Sequence, residues 1–368
     1  MGRPRKSNPL NLPPRVYAKH GAFYYHHPGG KWERIGTDVE EAKRRASEIR
    51  NNLADGFGKV PYWLGEFLAH CKQRVADKSL AQRTLDDYTD AADKLKVWFA
   101  DFYPLGIEPH HVGDYLDKGV ELDRAVRANR EKSALSAMFT WLIRKGHAGI
   151  KSNPCIGVKR NKETKRDRYV ENDEMAETLG KVPVQVWGLA HLVYRTLQRP
   201  EDIITWTLRD IVERRDASGR VVKVIRNDQG KTGRVVDIEV TAEIAAVLER
   251  LKFESTPRKS GRRTVTGMTL IHRRDGGRYT YDGLCSMLKR GEDVVRDLHA
   301  IKRGPLAEMA PWGFYDMKGK GATDMWLAGV PLEQIQVLCG HESITTTETY
   351  VKSRWRGIVT PNQVQISV

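Results

Sequence analysis

The sequence predicts a multidomain, mainly α chain. A small β-sheet-plus-helix module comes first, a helical bundle follows, and an α+β domain closes it. Three observations predict this. An aromatic, turn-punctuated segment runs into a capped helix within residues 1–57. Apolar residues then recur at helical spacing without a break from Pro61 to Asn153. From Tyr169 onward helical patterns flank one alternating hairpin.

At 368 residues the chain is long enough for two or three domains with proper cores. Its 62 basic residues against 47 acidic ones leave a formal charge of +15. That excess favours a polyanionic partner, nucleic acid ahead of an anionic membrane surface, and says nothing about fold. The four cysteines, Cys71, Cys155, Cys285 and Cys339, are far apart. They suggest neither a zinc site nor a disulfide framework, and read as thiols in a reducing compartment. No apolar run approaches a membrane span, and the opening MGRPRKSNP lacks the apolar stretch of a signal peptide. The expectation is a cytoplasmic protein without membrane association.

Residues 1–20 carry Arg3, Arg5, Lys6, Arg15 and Lys19 and no acidic residue; with four prolines they read as an extended basic arm. Ala22-Phe23-Tyr24-Tyr25, the turn Pro28-Gly29-Gly30 and Lys31 to Gly36 form an aromatic hairpin. Thr37 and Glu40 make a capping box for a helix over about 38–54, with Ala42, Ala46, Ile49 and Leu53 on one face. This module spans 1–57.

Residues 58–157 read as a bundle. Tyr62, Phe67 and Leu68 open one helix, Leu85, Tyr88, Ala92, Leu95 and Phe99 space out a second, and Leu135, Met138, Phe139 and Leu142 mark a third ending at Lys145-Gly146. The strip 158–168, VKRNKETKRDR, holds six basic residues. It fits a solvated linker and equally a linker lying along phosphates through Lys159, Arg160, Lys162, Lys165 and Arg166. In the last domain, 169–368, Val221 to Ile225 and Val235 to Val240 alternate around the turn Asp228 to Gly233.

Four residues of this domain have the chemistry for phosphate. Arg199 precedes Pro200 with Glu201 and Asp202 behind it, which places it at a helix N terminus, a natural anion site. Its planar fork suits a phosphate and stays charged. Lys231 sits at the hairpin tip. His341 follows a helix whose Leu332, Ile335, Leu338 and Cys339 form an apolar face and which Gly340 stops. That position biases the ring toward its charged form, with a satisfied core histidine as the alternative. Tyr350 lies early in the next helix, where Thr345 and Glu348 make a capping box. A free phenol titrates at about 10, so it becomes a nucleophile only when cations stabilise its phenolate.

These stretches resemble the tyrosine recombinases, the phage integrases among them. Thr196 to Asp202 is similar to the family's T-G-x-R-x-x-E/D, with Leu197 in place of glycine. A positive φ at Leu197 would cost roughly 1–2 kcal/mol. Lys231 matches the hairpin lysine, and Leu338 to Ser343 with Tyr350 resembles L-G-H-x-S followed by the nucleophilic tyrosine nine residues after the histidine. The family's H-x-x-R is replaced by Tyr315 and Lys318. Lysine keeps the charge but loses the fork, so the swap is not neutral; either the local shape compensates, with Lys320 as an extra cation, or turnover is slow.

The resemblance implies an arm-binding first module with Arg3, Arg5 and Lys6 on DNA, a core-binding bundle, and a catalytic domain with Arg199, Lys231, Tyr315, Lys318, His341 and Tyr350. It implies strand cutting and rejoining through a 3′-phosphotyrosyl ester, with no metal, ATP or other cofactor, and integration or excision of phage or other mobile DNA. The implied partners are double-stranded attachment sites, three further copies of the chain in a homotetramer on DNA, a host DNA-bending protein and an excisionase. The implied setting is the nucleoid in the cytoplasm of a bacterial host. Gln363 to Ile366 alternates and fits a strand exchanged between protomers. The rival readings are a catalytically weakened DNA-binding relative, a type IB-like DNA-relaxing enzyme, and a helix-turn-helix regulator. The last leaves the four phosphate-directed residues unexplained.

Overall fold

The computed structural model describes residues 8–26, 32–51, 58–164, 166–230, 232–255 and 267–352. The chain divides into two compact units, Met1–Lys165 and Arg166–Val368.

The first unit opens with a three-stranded antiparallel sheet: β1 (Val16–Lys19), β2 (Ala22–His26) and β3 (Trp32–Gly36). Val16, Phe23, Tyr25 and Ile35 bury one face of it against Ala42 and Ala46 of α1 (Val39–Asn51). The stretch read as wholly extended arm therefore supplies an edge strand, because Val16 pairs with Tyr25 and fills the core. The α1 cap also differs from the expected one. Asp38, not Thr37, accepts the amides of Glu40 and Glu41 through Oδ1, both at 2.9 Å, and a carboxylate there also complements the helix dipole.

The bundle comprises α2 (Val60–Ala76), α3 (Gln82–Trp98), α4 (Pro109–Glu121) and α5 (Ala125–Lys145). The predicted apolar spacings become its core: Leu64, Phe67, Leu85, Leu95, Phe99, Leu135, Met138, Phe139 and Leu142 are buried together. Gly146 ends α5 at φ 65°, a left-handed conformation suited to a residue without Cβ. The basic strip is no bare tether. The Lys132 ammonium donates to the Val158 carbonyl at 2.6 Å, and Asn129 exchanges hydrogen bonds with the Asn161 backbone at 2.9 Å. Buried polar side chains of α5 thus hold the strip's first half to the bundle.

The second unit contains α6 (Asn172–Leu179), α7 (Val184–Thr196), the single turn α8 (Pro200–Ile203), β4 (Ile211–Arg215), β5 (Val221–Asp228), β6 (Val235–Glu239), α9 (Ala242–Ser255), α10 (Tyr281–Lys302), α11 (Phe314–Leu327), α12 (Leu332–Cys339) and α13 (Ile344–Lys352). The expected hairpin is β5–β6, with Ile225 opposite Ile238. β4 joins its other edge; its polar Glu213-Arg214-Arg215 face, exposed in the structure, hid it from a hydrophobicity reading. α7 is the hub, burying Val186, Leu189, Leu192 and Val193. It crosses α11 so closely that a Cβ on Gly321 would stand 2.1 Å from the Tyr194 carbonyl oxygen. Glycine costs about 1 kcal/mol in a helix, and the close approach is what it permits. None of the described helices is long and apolar enough to cross a membrane.

Candidate active site

Three chain turns build the site. α7 ends at Leu197, whose φ is 55°. The strain that its replacement of glycine implied is therefore present. Leu197 is fully buried with Ala322, Ile335, Cys339 and Val351, and burying a leucine contributes about 1.5–3 kcal/mol, enough to offset the backbone cost. Arg199 then caps α8 in extended conformation. With only one turn behind it, α8 brings little helix dipole. Side chains orient the guanidinium instead: Nη1 lies 3.4 Å from Gln229 Oε1 and 3.8 Å from Asp202 Oδ2.

The second turn is the β5–β6 hairpin. Lys231 lies outside the described residues, as do Arg3, Arg5, Lys6, Lys165 and Gln363 to Ile366. Both neighbours of Lys231 are fixed. The Gly230 amide donates to Asp202 Oδ1 at 3.2 Å, and the Thr232 hydroxyl donates to Gln229 Oε1 at 2.7 Å. Burial pushes the Asp202 carboxyl above its ordinary value against the pull of the Gly230 amide, Arg199 and Lys318.

The third turn joins α12 to α13. Gly340 has φ 67°, and a Cβ there would stand 2.3 Å from the Gln229 amide, so both conformation and space require glycine. The His341 carbonyl accepts from Arg234 at 2.9 Å, and its Nδ1 is 2.9 Å from the Thr347 hydroxyl. This leaves Nε2 as the nitrogen available to a substrate. Burial, Lys318 and Arg199 hold the imidazole down at about 4, so it is neutral at pH 7. The expectation of a charged ring is thereby corrected: desolvation and two nearby cations outweigh the helix terminus. Ser343 caps α13 through the Thr345 amide at 3.2 Å, where Thr345 was expected to cap. The helix starts earlier, and Tyr350 falls in its second turn. The Tyr350 ring meets that of His341 edge-on at 5.9 Å, and its hydroxyl donates to the Tyr315 carbonyl at 3.3 Å.

Tyr315 and Lys318 come from the first turns of α11. The Tyr315 hydroxyl donates to Glu201 at 2.9 Å. Burial and that carboxylate hold the phenol well above its usual range, so it remains a donor. Lys318 is buried and donates to the Cys339 carbonyl at 3.4 Å. Lys320 does not join it. It faces the other side of α11, 3.3 Å from Asp324 and over the Tyr169 ring, so it supplies no compensating charge to the site.

Arg199, Tyr315, Lys318, His341 and Tyr350 thus share one locality, linked by direct contacts and by the charge each feels from the others. The basic strip is placed differently. Lys159, Arg160 and Lys162 are exposed on the first unit, with Arg160 3.1 Å from the Ser133 hydroxyl. Arg166 grips buried Asp316 with Nε and Nη2, at 2.6 Å for the shortest contact. Sequence reasoning missed Gln198, Asn227 and Gln229, buried amides directly beneath the site. Their only signal was position: Gln198 adjoins Arg199, and Gln229 stands two residues before Lys231.

Comparison with known proteins gives a consistent set. Residues 172–355 match the phage integrase family. The integrase of Escherichia phage HK022 is 26% identical over 262 residues, 67% of this chain and 70% of that one. The tyrosine recombinase XerD of Ralstonia nicotianae is 23% identical over 289 residues, 76% of this chain and 87% of that one. Among solved structures, a lambda integrase tetramer bound to a Holliday junction superposes with a TM-score of 0.64 at 18% identity, covering 96% of this chain and 99% of that chain.

Proposed function

The chain belongs to the phage integrase family, and from that premise we propose that it is a site-specific recombinase using Tyr350 as nucleophile. The observation that carries this reading is the meeting of the Tyr350 phenol with His341 at a place where the charges of Arg199 and Lys318 are both felt. In the proposed step the Tyr350 oxygen bonds to the scissile phosphorus as the bond to the 5′ oxygen breaks. The phenol proton passes to solvent water, and the departing 5′ oxygen gains one, for which Lys231 on its hairpin is the candidate donor. One phosphodiester is exchanged for another, so resealing by the reverse step needs no external energy.

Arg199 and Lys318 neutralise the non-bridging oxygens as charge grows on them. His341, neutral in the free protein, presents Nε2 to the phosphate. Tyr315, kept protonated beside Glu201, orients that carboxylate near Arg199. The full assembly we propose is a homotetramer on double-stranded attachment sites; the lambda integrase it resembles in fold forms a tetramer bound to a Holliday junction. Arg3, Arg5, Lys6, Lys159, Arg160, Lys162 and Lys165 serve as backbone contacts, aided by a host bending protein and an excisionase at the nucleoid. Arg166, held by Asp316, contributes to folding first.

The test uses nicked duplexes drawn from the DNA flanking the gene, where a short repeat shared with a tRNA gene would nominate the site, so that release of a small fragment traps the covalent intermediate. Wild type yields an SDS-resistant adduct and Tyr350→Phe none. Failure of wild type to form any adduct would favour the DNA-binding relative. Relaxation of any supercoiled plasmid, without recombinants, would favour the relaxing enzyme.

A further inference from the structure

Beneath the site runs a closed chain of side-chain amides whose polarity is fixed from both ends. Trp206 Nε1 can only donate, and it donates to Asn227 Oδ1 at 2.7 Å. The Asn227 amide nitrogen therefore faces Gln198 Oε1, at 2.8 Å. Gln229 Nε2 reaches the same oxygen at 2.7 Å and the Cys339 carbonyl at 3.3 Å. Gln198 Nε2 in turn donates to the carbonyls of Thr196, at 2.8 Å, and Leu338, at 2.5 Å. This leaves Gln229 Oε1 pointing outward to accept from Thr232 and from Arg199. Gln198 and Gln229 are both completely buried, so each bond they lose leaves a group that water does not reach.

The chain spans the three turns that carry the proposed chemistry: Arg199, the Lys231 hairpin and the His341 loop. We infer that Gln229 is a positioning residue, fixing the direction of the Arg199 guanidinium and the register of the hairpin against the Gly340-His341 turn. The inference rests on the recombinase reading for its consequence but not for its geometry. Gln229 touches no reacting atom; it acts through Arg199, which has no long helix behind it to orient it. The close seat of Gly340 on the Gln229 amide is a second contact holding the same arrangement.

The experiment is a double-mutant cycle on the nicked duplex, with Gln229→Met, Arg199→Lys and the pair, scored as adduct rate and as half-saturating DNA concentration. Gln229→Met is expected to slow adduct formation about 30-fold in the wild-type background, short of the roughly 100-fold or greater loss that follows removal of an oriented donor, because Arg199 itself is kept. Half-saturating DNA should stay within about twofold. In the Arg199→Lys background the same change should cost less than about threefold, because there is no fork left to orient. Losses that multiply, or a loss confined to DNA affinity, would overturn the proposal. Should Gln229→Met not fold, Gln229→Asn, which draws the amide back by one methylene, is read in the same way.

A second measurement stands apart from DNA cleavage: titration of the His341 ring resonance with inorganic phosphate. Gln229→Met should weaken phosphate binding about tenfold, and equal affinity would sink the inference. Phosphate binding lost in the variant, with wild type forming no adduct, would overturn the recombinase reading while sustaining the positioning role.

Discussion

The two faces of α11 each bury a lysine, two residues apart, and they differ in what surrounds the charge. Lys320 is closed off: Asp324 at 3.3 Å supplies a carboxylate, the Tyr169 hydroxyl lies at 3.0 Å, and Tyr169 and Tyr194 also donate to Asp324. These bonds push the Tyr194 phenol up to about 12 and the Tyr169 phenol higher still, behind burial as the larger cause. Lys318 donates to a main-chain carbonyl, and its field reaches Asp202, Cys339 and His341. A buried cation neutralised inside its own cluster serves the fold. One whose field falls, with that of Arg199, on a neutral histidine suits an incoming anion, as the proposed function requires.

The largest expected effect breaks that comparison on the Lys318 side. Lys318→Met should lower adduct formation on the order of 100-fold or more while the urea midpoint moves little; an unchanged rate would remove Lys318 from the site. Lys320→Met should do the reverse. Removing one partner of a buried pair costs about 3–5 kcal/mol, so the midpoint should fall steeply, while folded protein keeps its rate within a few-fold. A tyrosyl-adduct defect in well-folded Lys320→Met would erase the distinction.

Gly340→Ala sharpens the picture from the other side of Lys318. Left-handed backbone costs an L residue roughly 1–2 kcal/mol, and the new methyl must displace the Gln229 amide. Stability should therefore drop by at least about 2 kcal/mol, measured by chemical denaturation, and a drop under about 0.5 kcal/mol would mean the turn relaxes freely. Leu197→Gly is the milder counterpart. It relieves that strain but empties a buried site whose leucine-to-alanine cost would be about 2–5 kcal/mol, so a net loss of about 1–3 kcal/mol is expected. A gain in stability would show that backbone strain outweighs the packing of the leucine side chain.

The smallest effect is in pH. His341 and His191 both titrate near 4 in the folded chain, each chiefly through burial, against an ordinary value of 6.5. Below 6.5 the unfolded chain takes protons that the folded chain refuses, so stability is intact above that pH and drains away as pH falls toward 4. Replacing His341 with Gln should flatten part of this slope in denaturation series at about pH 7 and about pH 5. An unaltered slope would mean that the ring titrates in the folded chain as it does in the unfolded one.

Much of this was legible in the sequence, for physical reasons. Amphipathic spacing marked α2, α3 and α5, because burial of one face is what makes those helices form. Gly340 announced the end of α12, and Pro200 the start of α8. The family motifs carried Arg199, His341 and Tyr350. Other features were not legible. β1 and β4 are short edge strands of four and five residues, and neither alternates between apolar and polar side chains. The caps at Asp38 and Ser343 each sit beside an equally plausible hydroxyl, and local geometry chooses between them. The charge state of His341 was misread because a helix terminus is visible in sequence, whereas burial beside Lys318 and Arg199 is a tertiary fact. The amides of Gln198, Asn227 and Gln229 become a chain only when residues far apart in sequence converge.

The most direct test of the central claim is to digest the trapped protein–DNA adduct and locate the modified residue by mass spectrometry. The nucleotide should be found as a 3′-phosphoryl ester on Tyr350, and only there. A nucleotide on Tyr315, whose hydroxyl lies beside Glu201 in the same pocket, or on any other side chain would contradict the assignment of the nucleophile and the roles built around it.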